Sequence, residues 1–142
     1  MAPEGVPAGW GAPVYAKLDA DIAAHLEGNA FGCDICQDVC PWNQRFSRDA
    51  TLTEFEPRSA LASNDSRAIA RDILEMDVER FRAEFKGSPM KRAKLSGLKR
   101  NAAVALGNSG NPGDVEALTE AAASSDTLLS EHASWALKRI RS

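Results

Sequence analysis

From residue 66 to residue 142, apolar residues recur every three or four positions, and capping residues, glycine and proline cut the pattern into helix-sized pieces. That period is the helical one, so the second half of the chain is expected to be helical throughout. Ser66 stands where a cap is wanted before "RAIARDILEM", and Asp77 before "VERFRAEF", in which Val78, Phe81 and Phe85 share a face. Gly87 is placed to stop that helix, and Ser88-Pro89 gives the cap-then-proline start of the next. In "MKRAKLSGLKRNAAVALG", Leu95, Leu98, Ala102 and Leu106 form an apolar stripe, and Gly107-Asn108 reads as its C-terminal stop. Arg92, Lys99 and Arg100 fall to one side of that stripe, open to solvent or a ligand. "NPGDVEALTEAAA" starts at Pro112 or Asp114 and buries Val115, Leu118 and Ala122. "TLLSEHASWALKRI" buries Leu129, Ala133, Ala136 and Ile140, with Trp135 near the edge. Alanines at 102, 103, 105 and 121–123 let such helices approach closely. A helical pair with a Gly-Asn-Pro turn approaches the roughly 40–47 residues of a HEAT unit, and one such unit must lean on a neighbour. The expected fold class is therefore mainly α, with a HEAT-like domain over residues 66–142.

The first half is different. Residues 1–21 are an irregular arm rich in proline and glycine, and "AKLDADIAAHL" offers a short helix with Leu18, Ile22 and Leu26 on one face. "FSRDATLTEFEPRSALASNDS" is a polar connection, of which residues 49–65 form the linker into the helical domain. Between them, "FGCDICQDVCPWN" holds all three cysteines, at the spacing Cys33-x2-Cys36-x3-Cys40-Pro41. Thiolates two residues apart can grip one iron–sulfur cluster, while a cysteine three residues further on and followed by proline reaches a different cluster in bacterial ferredoxins. On that logic Cys33 and Cys36 serve one cluster and Cys40 a second, and residues 22–48 make part of a ferredoxin-like segment. Zinc competes, with His25 as a fourth ligand, as do plain buried thiols. A thioredoxin-like redox pair would want strands around it, and the pattern shows none.

No apolar run approaches the roughly 20 residues of a membrane span. The opening "MAPEGVPAGWGAPVYAKLDA" lacks the basic and apolar regions of a secretory signal, so a cytoplasmic protein with reduced thiols and no membrane contact is expected. The net charge of −3 conceals an uneven distribution: residues 1–66 carry ten acids against four bases, the remainder thirteen bases against ten acids. "KGSPMKRAKLSGLKR" carries Lys86, Lys91, Arg92, Lys94, Lys99 and Arg100 without an acid. It reads either as a solvated helix face or as a patch for phosphate backbone.

Taken together, "GNAFGCDICQDVCPWN", "GSPMKRAKLSGLKRNAAVALGN" and "EHASWAL" resemble, in order and spacing, the C-terminal part of the epoxyqueuosine reductases, over roughly residues 22–142. The resemblance implies a cobalamin-dependent enzyme that reduces epoxyqueuosine to queuosine at the tRNA wobble position, the last step of queuosine synthesis, with electrons delivered through two 4Fe-4S clusters. It implies a corrinoid-binding α/β part, a ferredoxin-like part and a HEAT-like part that contacts the tRNA anticodon stem-loop. Carried over by position, Cys33 and Cys36 ligate one cluster and Cys40 the other. Lys91, Arg92, Lys94, Lys99, Arg100 and Asn101 face RNA or support that face.

The family's first C-x2-C-x2-C-x3-C-P motif, one further cysteine, the corrinoid domain and the aspartate general acid all precede the matching stretch, and none is in this chain. An upstream domain or subunit is expected to supply them, and the chain alone is expected to be inactive. Two other readings stand beside this one: an electron-transfer subunit that completes 4Fe-4S clusters with a partner, and a non-enzymatic helical RNA-binding module with structural zinc. Among single residues, Trp42 and Asn43 suit either a cluster pocket or packing. Asp34 and Asp38 are expected to be solvated or bonded to loop amides, and His132 to be structural. Asn101 reads as a cap or inter-helix hydrogen bond, with RNA contact second.

Overall fold

The computed structural model describes residues 35–49, 51–63 and 65–142. The arm, the helix expected over "AKLDADIAAHL", and Cys33 with Asp34 lie outside the described residues. Among those described, the chain is mainly helical and has no strand. Two short helices, α1 (Ile35–Asp38) and α2 (Pro41–Phe46), carry the cysteine segment. Five more follow: α3 (Ser66–Glu75), α4 (Val78–Glu84), α5 (Lys94–Ser109), α6 (Val115–Ala122) and α7 (Thr127–Arg141). Single 3-10 turns over Thr53–Phe55, Ser59–Leu61, Pro89–Ala93 and Pro112–Asp114 sit in the connections.

The helix starts follow capping chemistry, one of them shifted. Asp65, not Ser66, caps α3, its carboxylate accepting from the Arg67 amide; a carboxylate one residue earlier takes the role expected of the serine. Asp77 caps α4 as expected, accepting from the Arg80 amide. Ser88 accepts from the Met90 amide, but what it starts is the Pro89–Ala93 turn, with α5 beginning only at Lys94. Asp126 caps α7 through the Leu128 and Leu129 amides, and Ser96 Oγ donates to the same carboxylate from α5.

α5 is the central helix and packs most extensively on α7, then on α3; α6 packs on α7. Ser96, near the start of α5, meets the cap of α7, and Gly107, near its end, lies against Ala136. The two helices therefore run side by side in the same direction. α3 likewise runs with α6, since Arg67 near its start bonds Asp114 at the start of α6 (Nε–Oδ2 2.7 Å), while Glu75 at its end shares a cleft with Glu120 and Ser124. Ile73, Met76, Phe85, Leu98, Leu106 and Leu118 fill the core, with Ala102, Ala103, Ala133 and Ala136 fully enclosed where backbones approach.

Five expected positions change. Val78 is exposed although Phe81 and Phe85 on the same face are buried, so α4 begins in solvent and goes inside only toward its end. Gly107 does not end α5: the helix continues to Ser109, and Gly110, at φ +65°, takes the left-handed terminal position. Gly107 instead stays inside the helix as a contact point for α7. Ile140, like Val115 and Ala122, is only partly buried, whereas Leu137 and His132 go inside; the His132 Nδ1 lies 2.7 Å from the Leu128 carbonyl oxygen, the structural role expected of it.

Candidate cluster segment and basic surface

Around the cysteines, bonds between described residues tie the segment locally. Pro41 occupies the first position of α2, where its missing N–H is no loss, and Cys40 is the residue before it, in extended conformation. The Cys40 amide donates to the Gln37 carbonyl (3.2 Å). Side chains of α2 then reach back over α1: Asn43 Nδ2 donates to the Gln37 carbonyl (3.1 Å) and Gln44 Nε2 to the Asp38 carbonyl (2.9 Å). Those bonds satisfy carbonyls that a four-residue helix leaves open and fix the turn between Cys36 and Cys40. Asn43 is thus a loop tie, and Asp38 is exposed, accepting through its backbone.

Cys36 is exposed and Cys40 half-buried, and both are free thiols. No group of three His, Cys, Asp or Glu side chains among the described residues could hold a metal ion. The two described thiols do not by themselves make a ligand set. Trp42 stacks on Phe46 (centroids 4.9 Å) and the Arg45 guanidinium lies over the Phe46 ring at 5.3 Å, yet both rings stand mostly in solvent.

The basic run separates into three environments. Lys86, Lys91, Arg92 and Lys94 are exposed, the middle two on the Pro89–Ala93 turn. Lys94 has φ +57°, a conformation that L-residues with side chains rarely adopt. Lys99 is half-buried in a cleft of about 540 Å³ lined also by Arg71, Glu75, Glu116 and Glu120. Burial lowers its pKa, while Asp126, Asp77 and Glu120 act to raise it, so this ammonium already has carboxylates around it.

Arg100 is buried, and desolvation holds its guanidinium below the ordinary arginine value. Its Nε and Nη2 donate to Asn101 Oδ1 at 2.9 and 2.7 Å. The expectation that Lys99 and Arg100 stand open beside the apolar stripe is corrected for Arg100, which is buried, while Lys99 stays partly open at the cleft. Lys99 lines the cleft together with residues of α3, α6 and α7. Asn101 serves Arg100 rather than a helix end.

Sequence reasoning passed over Asp114. It is fully enclosed, bonded to Arg67, with Arg71 Nε 3.6 Å from its other oxygen, and ties α3 to the start of α6. Its place after Asn111-Pro112-Gly113 marked a helix start, but nothing local marked its partners 43 and 47 positions away.

No family model and no solved structure matches the chain. Curated relatives do. An epoxyqueuosine reductase of Pseudomonas aeruginosa is 42% identical over 116 residues, 80% of this chain and 31% of its own length. One from Xanthomonas campestris is 34% identical over 121 residues, 84% of this chain and 33% of its own. One from Synechocystis is 39% identical over 89 residues, 63% of this chain and 29% of its own. The chain is homologous to the epoxyqueuosine reductases and spans about a third of the length of these relatives.

Proposed function

We propose that the chain is the C-terminal portion of an epoxyqueuosine reductase and works as part of a complete enzyme that reduces epoxyqueuosine to queuosine in tRNA. The observation that carries this reading is the homology, which takes in most of the chain at 34–42% identity in the two longest matches quoted. In the complete enzyme, Cys33 and Cys36 hold one 4Fe-4S cluster and Cys40 the other, with the remaining thiolates supplied by the part of the protein outside this chain. Residues 22–48 form the end of a ferredoxin-like segment, 49–65 the linker, and 66–142 a HEAT-like domain. Support for the last comes from the directions of the helices: α3 with α5, and α6 with α7, are two pairs stacked so that like helices run alike. Cobalamin belongs to the portion outside the chain.

Anaerobic reconstitution tests the assignment. The chain alone is expected to retain little iron. Assembled with the rest of a reductase it is expected to give two iron–sulfur clusters, and Cys36→Ser or Cys40→Ser to remove iron and sulfide together. Stoichiometric zinc in the chain alone, with no cluster on assembly, overturns it in favour of a binding module. Clusters that form with a partner lacking a corrinoid site indicate an electron-transfer subunit.

For RNA, we assign the phosphate contacts to Lys91, Arg92 and Lys94, with Arg100 and Asn101 holding the helix behind them and Lys99 engaged in the cleft. Phosphate contacts position RNA without reading bases. In the assembled enzyme, replacing Lys91, Arg92 and Lys94 together by alanine is expected to lower the slope of log K against log salt by about three units. Lys99→Ala is expected to leave the slope unchanged. A slope that falls for Lys99 and holds for the other three refutes the division.

A further inference from the structure

We infer that the cleft shared by α3, α5, α6 and α7 binds an aliphatic polyamine, a chain carrying two or more ammonium groups on methylene spacers. At about 540 Å³ the cleft falls within the roughly 300–1,000 Å³ typical of small-molecule sites. Part of its lining is apolar: Leu74, Ala117, Ala121 and Leu129, of which Leu74, Ala121 and Leu129 are buried. The rest is charged, with Glu75, Glu116 and Glu120 exposed along it and Arg71 and Lys99 among them. Apolar wall for methylenes and carboxylates for ammonium groups are the two halves of a polyamine site.

The balance of charge favours a cation. Arg71 is already paired with the enclosed Asp114, its Nε 3.6 Å from Oδ1. Lys99 has Glu120 beside it, and Asp126 and Asp77 as well. Among the described residues, the side chains of Glu75, Glu116 and Glu120 make no hydrogen bond or ion pair. Helix ends add to the demand. α3 stops at Glu75 and Glu120 stands in the last turn of α6, and neither helix has a basic residue in its last turn. The carbonyl end of a helix carries partial negative charge, so a carboxylate there sets like against like and a cation relieves both. Because α3 and α6 run alike, these two ends meet in the one cleft.

The form of the cation follows from the spread of the carboxylates. Among the described residues, no three His, Cys, Asp or Glu side chains are placed to hold a metal ion, so the negative charge is not focused on one point. Glu116 and Glu120 stand one turn apart on α6, about 5.4 Å along its axis, which two ammonium groups joined by four methylenes can span. Glu75, across on α3, offers a third position for a longer chain.

Calorimetric titration of the full 142-residue chain with 1,4-diaminobutane, spermidine and 1-aminobutane tests the inference. Saturable binding of one molecule per chain is expected for the first two, with spermidine the tighter, and affinity for 1-aminobutane at least about tenfold lower than for the diamine. Glu116→Gln with Glu120→Gln is expected to weaken diamine binding about tenfold or more, at an unchanged urea midpoint because both side chains are exposed. Lys99→Met, which removes the competing ammonium, is expected to tighten binding severalfold. Glu79→Gln, exposed on α4 and outside the cleft, is expected to change nothing. Absence of saturable diamine binding overturns the inference, and so does an equal loss in the Glu79 variant, which marks diffuse attraction to an acidic chain. Binding of inorganic phosphate that Lys99→Met abolishes makes the cleft an anion site and overturns it too.

Discussion

Changing Gly107 to valine is expected to remove about 4 kcal/mol or more of stability, a large part of the roughly 5–15 kcal/mol that a domain of this kind possesses. A methyl group built at Gly107 would lie 2.7 Å from Ala136 Cβ, 2.8 Å from its Cα and 3.1 Å from Trp135 Cζ3. Carbon atoms prefer about 3.5–4.0 Å, and two of those neighbours are fixed to the α7 backbone, so α5 and α7 would have to part by about an ångström. That is the most extensive helix contact in the molecule. Alanine tests the argument more gently: its better helix propensity returns about 1 kcal/mol against an overpacking cost of about 1–3 kcal/mol, leaving a modest net loss. Gly110→Ala is the control. Its φ of +65° makes a side chain strained there, but nothing lies within 4 Å, so about 1–2 kcal/mol is expected for alanine. Urea midpoints of the three variants decide it, and a valine variant that unfolds like Gly110→Ala shows that the two helices have room.

The same pair of glycines shows what could be read in advance. A glycine followed by asparagine after an apolar stripe is an ordinary C-terminal signal, and at the end of α5 it occurs twice, at Gly107-Asn108 and at Gly110-Asn111. Choosing between them depends on whether Ala136 arrives at position 107, and that is a tertiary fact. Local signals served well where the chemistry is local. Asp77, Ser88 and the Pro112–Asp114 turn start their elements, and Leu98, Ala102, Leu106, Leu118, Leu129, Ala133 and Ala136 are inside.

The candidate site divides along the same line. The cysteine spacing was legible because it lies within ten residues, and the homology agrees with the family that the three sequence blocks resemble. The basic run was legible only as charge. Six cations without an acid look like one surface, yet the 3-10 turn before Lys94 and the helix after it set Lys99 near Glu120 and leave Arg100 buried. Their acidic and amide surroundings come from α6, the caps of α4 and α7 and the next residue, so no count of charge along residues 86–100 could separate them. The aromatic pair on α2 was visible as Trp42 and Phe46 four apart, but whether such a pair packs inward depends on a neighbour.

Phe85→Ala is expected to lose about 3–5 kcal/mol, among the largest effects of any single truncation here. The side chain is fully enclosed, 5.5 Å from the Phe81 ring, and with Phe81 it anchors the short helix α4 to the core. Its backbone does more. The Phe85 amide bonds to the Phe81 carbonyl, and its own carbonyl accepts from Ser88, the residue that caps the Pro89–Ala93 turn carrying Lys91 and Arg92. Loss of the ring therefore frees the mount of the exposed cations as well as leaving a cavity. Amide exchange over residues 88–94 is expected to accelerate more than exchange in α7, and tRNA affinity of the assembled enzyme to fall although every cation remains. Phe85→Leu retains most of the volume and is expected to cost less than about 2 kcal/mol, with exchange near that of the unaltered chain. If Phe85→Ala speeds exchange equally in both regions, the ring supports the whole core and has no special hold on the basic turn.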